Sequence, residues 1–397
     1  MKRSFSSVDR RTLGLVAAGS GLIAATYGLV RLAYGLFLPD VQAELDFAAA
    51  TAGLISSGAS VMYCLGATVG FAVASRRPRT LVIVAASSAS VGAAGMAASP
   101  STAAFAAFAI ISSAGAGLAS PGLVSMVQRN VPVGANADRS QAIVNAGTGP
   151  GLVAAGILAL MLLPNWRLAW FIVAAFTVTI GVAVLGLDRH QGREVAETDS
   201  SGPLIPPRSW FRDHRHIILA AVFLGVGSAA VWNYGRTHLA DAGVSEAASV
   251  AAWIALGVGG TAVIGTARLM SARAPSSAWT ITTLTVAAAT ATLALAPDTN
   301  KVVLVACAAF GWGYTAATGA LIAWTTRIDA ARAPAGTSVL FVILVFGQGL
   351  GAAAIGALAS WGGFAIAFLV ASALTLAAAT IPLWRKTPLE QPDVPAH

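Results

Sequence analysis

Long apolar runs separated by short polar breaks recur along almost the whole chain, from Leu13 to Pro382. A helix crosses a bilayer with about 20 consecutive, mostly apolar residues. The pattern therefore predicts twelve spanning helices, at about 13–37, 50–74, 80–98, 102–127, 139–163, 167–187, 214–239, 248–270, 278–296, 301–326, 334–358 and 361–384. The first run follows Lys2, Arg3, Arg10 and Arg11, as the core of a secretory leader would. It is longer than a leader's apolar region and many further runs follow, so it is read as a retained helix.

One long polar interruption runs from Asp188 to His216, with acidic residues first, then Gly202-Pro203 and Pro206-Pro207, then a basic end. It reads as a solvated linker. The expected organisation is a six-helix bundle over 1–190, a cytoplasmic linker over 191–213 and a second six-helix bundle over 214–397. Local detail repeats between the halves. Tyr34-Gly35 is matched by Tyr234-Gly235, Gly147-Thr148 by Gly336-Thr337, and the basic turn Ser75 to Arg79 by Arg268 to Pro275. Six helices return the chain to the side it started from, so the repeats are parallel. A solute site is then expected near the midplane between them.

Composition agrees with lipid as the solvent, since 56% of residues are hydrophobic and 10% charged, against roughly 25% charged in soluble domains. The net charge of +8 has a simple origin. Arg76, Arg77, Arg79, Arg129, Arg139, Arg268, Arg273, Arg327, Arg332, Arg385 and Lys386 fall on the side of the N-terminus, while Arg31, Arg167, Arg236 and Lys301 do not. Basic residues collect on the cytoplasmic side of membrane proteins. The chain is thus expected in a bacterial inner membrane with both termini cytoplasmic. Its partners are lipid and a small-molecule substrate, not nucleic acid. The 41 glycines suit helices that approach closely in lipid. Cys64 and Cys307 both fall within spans and define neither a metal site nor a disulfide framework. No phosphate-binding or nucleophile motif occurs, so neither enzymatic activity nor a cofactor is expected.

Helix count, central loop and repeat together resemble the major facilitator superfamily over nearly the whole length. The nearest likeness is to a bacterial efflux-type branch with an Arg-x-x-Tyr element in the first helix, here Arg31-Leu32-Ala33-Tyr34 followed by Phe37-Leu38-Pro39. The resemblance implies transport by alternating access. Where that superfamily carries Gly-x-x-x-Asp-Arg-x-Gly-Arg-Arg, this chain has Gly70 to Arg79 with Arg76 and Arg77 but no aspartate. The cytoplasmic charge lock is therefore expected to be weak or differently made. Gly147-Thr148-Gly149-Pro150-Gly151 resembles the glycine-proline signature of antiporters. Pro150 removes a backbone donor and predicts a bend there, so Gly147, Gly149 and Pro150 join Arg76 and Arg77 as candidate gating or coupling residues.

The candidate site is built around two intramembrane arginines, which are costly in lipid and mark function by default. Arg31 and Arg236 occupy comparable positions in the two halves and would form a clamp for a carboxylate, phosphate or sulfonate if they converge. They would instead reach to the membrane surface if they do not. Tyr27, Arg31 and Tyr34 are spaced to share a face of a regular helix. Trp232 and Asn233 lie beside Arg236, and Asn145, Tyr314 and Gln348 are further polar candidates. No acidic residue lies mid-helix, which leaves Asp40 or His238 to carry a proton, or an exchanged anion to do the coupling. The expected function is secondary active transport of a small organic anion. The alternatives are a proton-coupled exporter of neutral or amphipathic compounds and, from another class, a non-transporting receptor. Small-residue patches look alike within a bundle and between subunits, so oligomeric state is not legible.

Overall fold

The computed structural model describes residues 10–130, 135–188 and 206–384. These residues form helices and connecting turns, with no strand among them. In chain order the long helices are α1 (Arg10–Leu45), α2 (Ala49–Val73), α3 (Pro78–Ala98), α4 (Thr102–Asn130), α5 (Ala135–Asn145 and Thr148–Leu162), α6 (Trp166–Leu187), α7 (Arg215–Asp241), α8 (Glu246–Ser271), α9 (Pro275–Leu295), α10 (Asn300–Ile328), α11 (Ala333–Gly362) and α12 (Phe364–Thr380). Eleven have the length and apolarity to cross a bilayer, and α12 is a shorter apolar helix. Its 17 residues cover roughly 26 Å, and the 3-10 turns of Ile381–Trp384 extend it. Most of the linker expected at 191–213 lies outside the described residues. Its described end forms a six-residue helix, Arg208–Asp213.

Two helices depart from the expected ranges, for backbone reasons. α1 runs on through Pro39 to Leu45, so Asp40 and Glu44 are helical residues and not part of an outer loop. Its middle, Ala24–Leu32, is π-helical. The 3.6-residue spacing assumed for Tyr27, Arg31 and Tyr34 therefore does not hold through this stretch. α5 is interrupted at Ala146 and Gly147. Pro150 has no N–H to offer the carbonyl four residues earlier, and the helix breaks at that point.

The halves meet along three helix pairs: α1 with α7, α2 with α11, and α5 with α8. The repeat maps helix 2 onto 8 and 11 onto 5, so the second and third pairs are one contact seen twice. Glycines permit the closest approaches. A side chain at Gly35 would overlap the Trp232 carbonyl oxygen, and one at Gly53 the Ala352 carbonyl oxygen. These approaches gather toward the face that carries Asp40, Glu44, Asp241 and Glu246. Hydrogen bonds between the halves start there, with Ala50 N donating to Ser360 Oγ at 3.1 Å. Among the described residues they end at Cys64 Sγ to Val342 O, 3.4 Å. Beyond that point, toward the opposite face with exposed Arg76, Arg77, Arg268, Arg273, Arg327 and Arg332, Gly265 and Gly319 meet open space. The acidic face is sealed, and the space between the halves opens toward the basic one.

The charge cluster on the basic face centres on Asp188, which the family pattern does not indicate. Asp188, fully buried at the end of α6, accepts from Arg79 Nη1 at 2.9 Å, from Asn130 Nδ2 at 2.9 Å and from Arg129. It ties the start of α3 and the end of α4 to α6. Arg76 and Arg77, the residues expected in this role, are exposed. Replacing Asp188 with alanine leaves two cations without their shared carboxylate. It is expected to cost about 2–4 kcal/mol, seen as a lower melting temperature of the purified protein. An unchanged melting temperature would mean that Asp188 holds nothing together.

Candidate functional site

A cavity of about 530 Å³, counted to its open mouth, lies between the halves and is lined by α1, α2, α3, α4, α7 and α11. Arg31 is its one charged lining residue. The guanidinium lies over the Tyr63 ring, 4.7 Å from its centroid, and Nη2 donates to Gln348 Oε1 at 3.1 Å. Gln348 Nε2 in turn donates to Tyr314 Oη at 2.8 Å, while Tyr27 and Tyr63 share a 2.6 Å hydroxyl bond. One cation is thus held by a ring face and an amide, with no carboxylate against it among the described residues. A partly buried cation paired only with neutral dipoles favours an anion nearby, because a dielectric below that of water strengthens the attraction.

Other expected residues are placed around this centre. Asn233 lines the cavity, accepts from Ser56 Oγ and donates to Ala229 O at 2.9 Å. Tyr34 is buried in the wall with its hydroxyl on Ala52 O at 2.9 Å. Trp232 lines the cavity and meets Tyr314, Phe310 and Trp253 edge to face, with ring centroids 5.2, 5.5 and 6.2 Å away. Tyr63 and Ser56 escaped the sequence reading. Tyr63 is one of the chain's five tyrosines and lies inside an apolar run, whereas Tyr27 is singled out by its spacing from Arg31 and Tyr34.

Arg236 does not join Arg31 in the cavity. It is buried to 4% exposure and ion-paired with Asp40, and it donates to Leu36 O at 2.8 Å and Ser249 Oγ at 3.2 Å. Its charge is consumed in tying α7 to α1 across the sealed face, so the two-arginine clamp does not form. Tyr234 closes the same face by donating to Ala352 O at 2.8 Å and Ala49 O at 3.2 Å. His238 is packed inside the second half, with Nε2 on Leu293 O at 3.0 Å and its ring 4.5 Å from that of Phe368.

Asn145 is exposed near the break in α5 and bonds Gln141 at 3.3 Å, away from the cavity lining. Pro150 is exposed. Gly147 packs on Ser20 of α1, and Gly149 faces Thr261 of α8 across the halves. The glycine-proline segment therefore supplies close helix contacts and no solute ligand. Outside the spans, His214 is buried between Trp210, stacked 3.8 Å away, and Thr325 Oγ1 at 3.1 Å, and burial lowers its affinity for a proton.

Two parallel six-helix bundles around a central charged cavity, sealed at one face, form the architecture of a carrier that exposes one site to each side in turn. The sequence profile of the Major Facilitator Superfamily matches residues 20–332, and the chain belongs to that family. It is similar in structure to the nucleoside transporter NupG, with TM-score 0.76 and 15% identity over 95% of this chain and 99% of that one. A bacterial homologue of the human lysosomal transporter Spinster, inward-facing and unoccupied, gives 0.71 and 14% over 95% and 96%. A POT family transporter in complex with 5-aminolevulinic acid gives 0.75 and 12% over 94% and 96%. No curated protein matches it in sequence. The protein is a multi-pass membrane transporter.

Proposed function

We propose that the chain is a secondary transporter moving a small organic anion by alternating access, with Arg31 as the anion-binding group. The observation that carries this is the partly buried Arg31, alone as a charge in the lining of the cavity between the halves and bonded to neutral groups only. Gln348 is the partner that an incoming carboxylate displaces or joins. Arg236 and Asp40 belong to the gate. With the basic face cytoplasmic, in a bacterial inner membrane and with both termini inside, the conformation is inward-open. Coupling by exchange for a second anion fits the same site.

The edge-to-face group of Trp232, Tyr314 and Phe310 favours a second reading, an exporter of neutral or amphipathic compounds held chiefly by ring faces. Binding distinguishes the two. Charge-assisted hydrogen bonds contribute about 1.5–3 kcal/mol, so Arg31→Gln is expected to weaken carboxylate binding about 10- to 100-fold, with Arg31→Lys between. Calorimetry of the purified protein with benzoate and pentanoate reads this out. Equal affinity in wild type and Arg31→Gln would remove the anion site and leave the aromatic one.

A further inference from the structure

Two polar groups in the same cavity wall are not used by the charged site. Trp232 and Ser113 are 6% and 1% exposed, and both line the cavity. Neither Trp232 Nε1 nor Ser113 Oγ has a hydrogen-bond partner among the described residues. Several of their polar neighbours are engaged. Ser112 Oγ donates to Ala109 O at 2.7 Å, Ser56 and Asn233 bond each other, and Gln348 spans Arg31 and Tyr314. Buried polar groups are nearly always paired in native proteins, and a bare one forfeits its hydration for nothing. Polar groups placed among apolar walls of a ligand cavity fix the ligand's orientation.

We propose that Trp232 Nε1 and Ser113 Oγ provide a second recognition point in the cavity. It takes a hydrogen-bond acceptor on the uncharged body of the anion that Arg31 holds. The inference rests on the anion reading above and narrows it. The indole N–H only donates, and the hydroxyl can donate as well, so the complementary atom is a carbonyl, hydroxyl or ether oxygen or a heteroaromatic nitrogen. The solute class is then a short oxo, hydroxy or heteroaromatic acid, as opposed to an acid with a bare hydrocarbon body.

Position adds a consequence. Arg31 and Ser113 belong to the first half, and Trp232 belongs to α7 of the second. An acid carrying an acceptor therefore engages both halves through its own atoms. Trp232 also lies one helical turn before Arg236, so that contact is made on the helix that holds the gate. The three neighbouring rings fix the plane of the indole, and a ligand reaches its enclosed N–H by displacing part of the cavity wall.

The test is calorimetry on the full chain in lipid nanodiscs with two matched pairs, pentanoate against 4-oxopentanoate and benzoate against pyridine-3-carboxylate. One hydrogen bond to a waiting donor should make the acceptor-bearing acid of at least one pair about 10-fold tighter in wild type. Trp232→Phe keeps a ring and removes the N–H, and Ser113→Ala removes the hydroxyl. Each is expected to shrink that ratio, with the double variant near 1. Equal affinities within both pairs in wild type overturn the proposal, and this arm needs no variant to fold. A ratio that survives both substitutions overturns it too, since the indole N–H would then be spent on its neighbouring ring faces. Absence of binding by all four acids strikes the anion reading itself, whereas binding without any preference in wild type strikes only the acceptor point.

Discussion

Replacing Asp40 with asparagine is expected to open the sealed face of the protein. The Arg236 side chain is 4% exposed and that of Asp40 13%, and the pair joins α7 to α1 across the two halves. Removing one member of a buried ion pair costs about 3–5 kcal/mol, because the survivor keeps its desolvation without its counter-charge. The Leu36 carbonyl and Ser249 hydroxyl still bond the guanidinium but bring no charge. The apolar core is continuous between the halves, and relief comes from local separation at this face, which returns Arg236 to water. The closed-to-open ratio should fall by about two orders of magnitude. Hydrogen exchange of the α1 segment 33–45 and the α7 segment 231–241 measures it, and protection in both should drop. Asp40→Asn combined with Arg236→Gln removes both charges and should recover much of the closed form. Unchanged exchange in Asp40→Asn would show that the pair carries no part of the seal.

Gly35→Ala should abolish transport while leaving the protein folded. The added methyl would overlap the carbonyl oxygen of Trp232 and crowd that of Asn233. These are main-chain atoms of a helix and have no rotamer with which to yield. α1 and α7 must then part at the sealed face, and a carrier that cannot close one side cannot complete its cycle. Flux into liposomes is expected to fall below about 1% of wild type, since closure needs backbone movement that close-packed helices resist. Gly235→Ala is the control. Its nearest neighbour would be Val231 Cγ1 of the same helix, at 3.6 Å. Replacing a helical glycine with alanine adds up to about 1 kcal/mol of helix propensity, so this variant should transport normally. Comparable flux in the two variants would show that the Gly35 contact is not needed for closure.

That contrast marks where reading the chain alone stops. Tyr34-Gly35 and Tyr234-Gly235 are the same dipeptide at matching places in two repeats, and nothing in their spelling separates them. In the fold, Gly35 is pressed against helix α7 and Gly235 has room. Tyr34 bonds Ala52 within its own half, while Tyr234 reaches Ala49 in the other. The arginines diverge in the same way. Arg31 and Arg236 each break an apolar run near the same depth, but one faces the cavity and the other is neutralised by Asp40. The aspartate that the family pattern carries after Gly70 is missing from this chain. Its replacement, Asp188, lies more than a hundred residues further along and was invisible to local pattern.

The number of spans, their division six and six, the parallel repeat and the family follow from the chain itself. Apolar length and the sorting of basic residues are one-dimensional properties set by the bilayer. The role of each polar side chain is decided by helix rotation and by what arrives from the opposite half. A π-helical stretch between Ala24 and Leu32 resets that rotation in α1, and a carboxylate from the opposite half converts an arginine from ligand to latch. Tertiary structure alone settles such matters, because a charge in lipid is defined by its partner and the partner is rarely a neighbour in sequence.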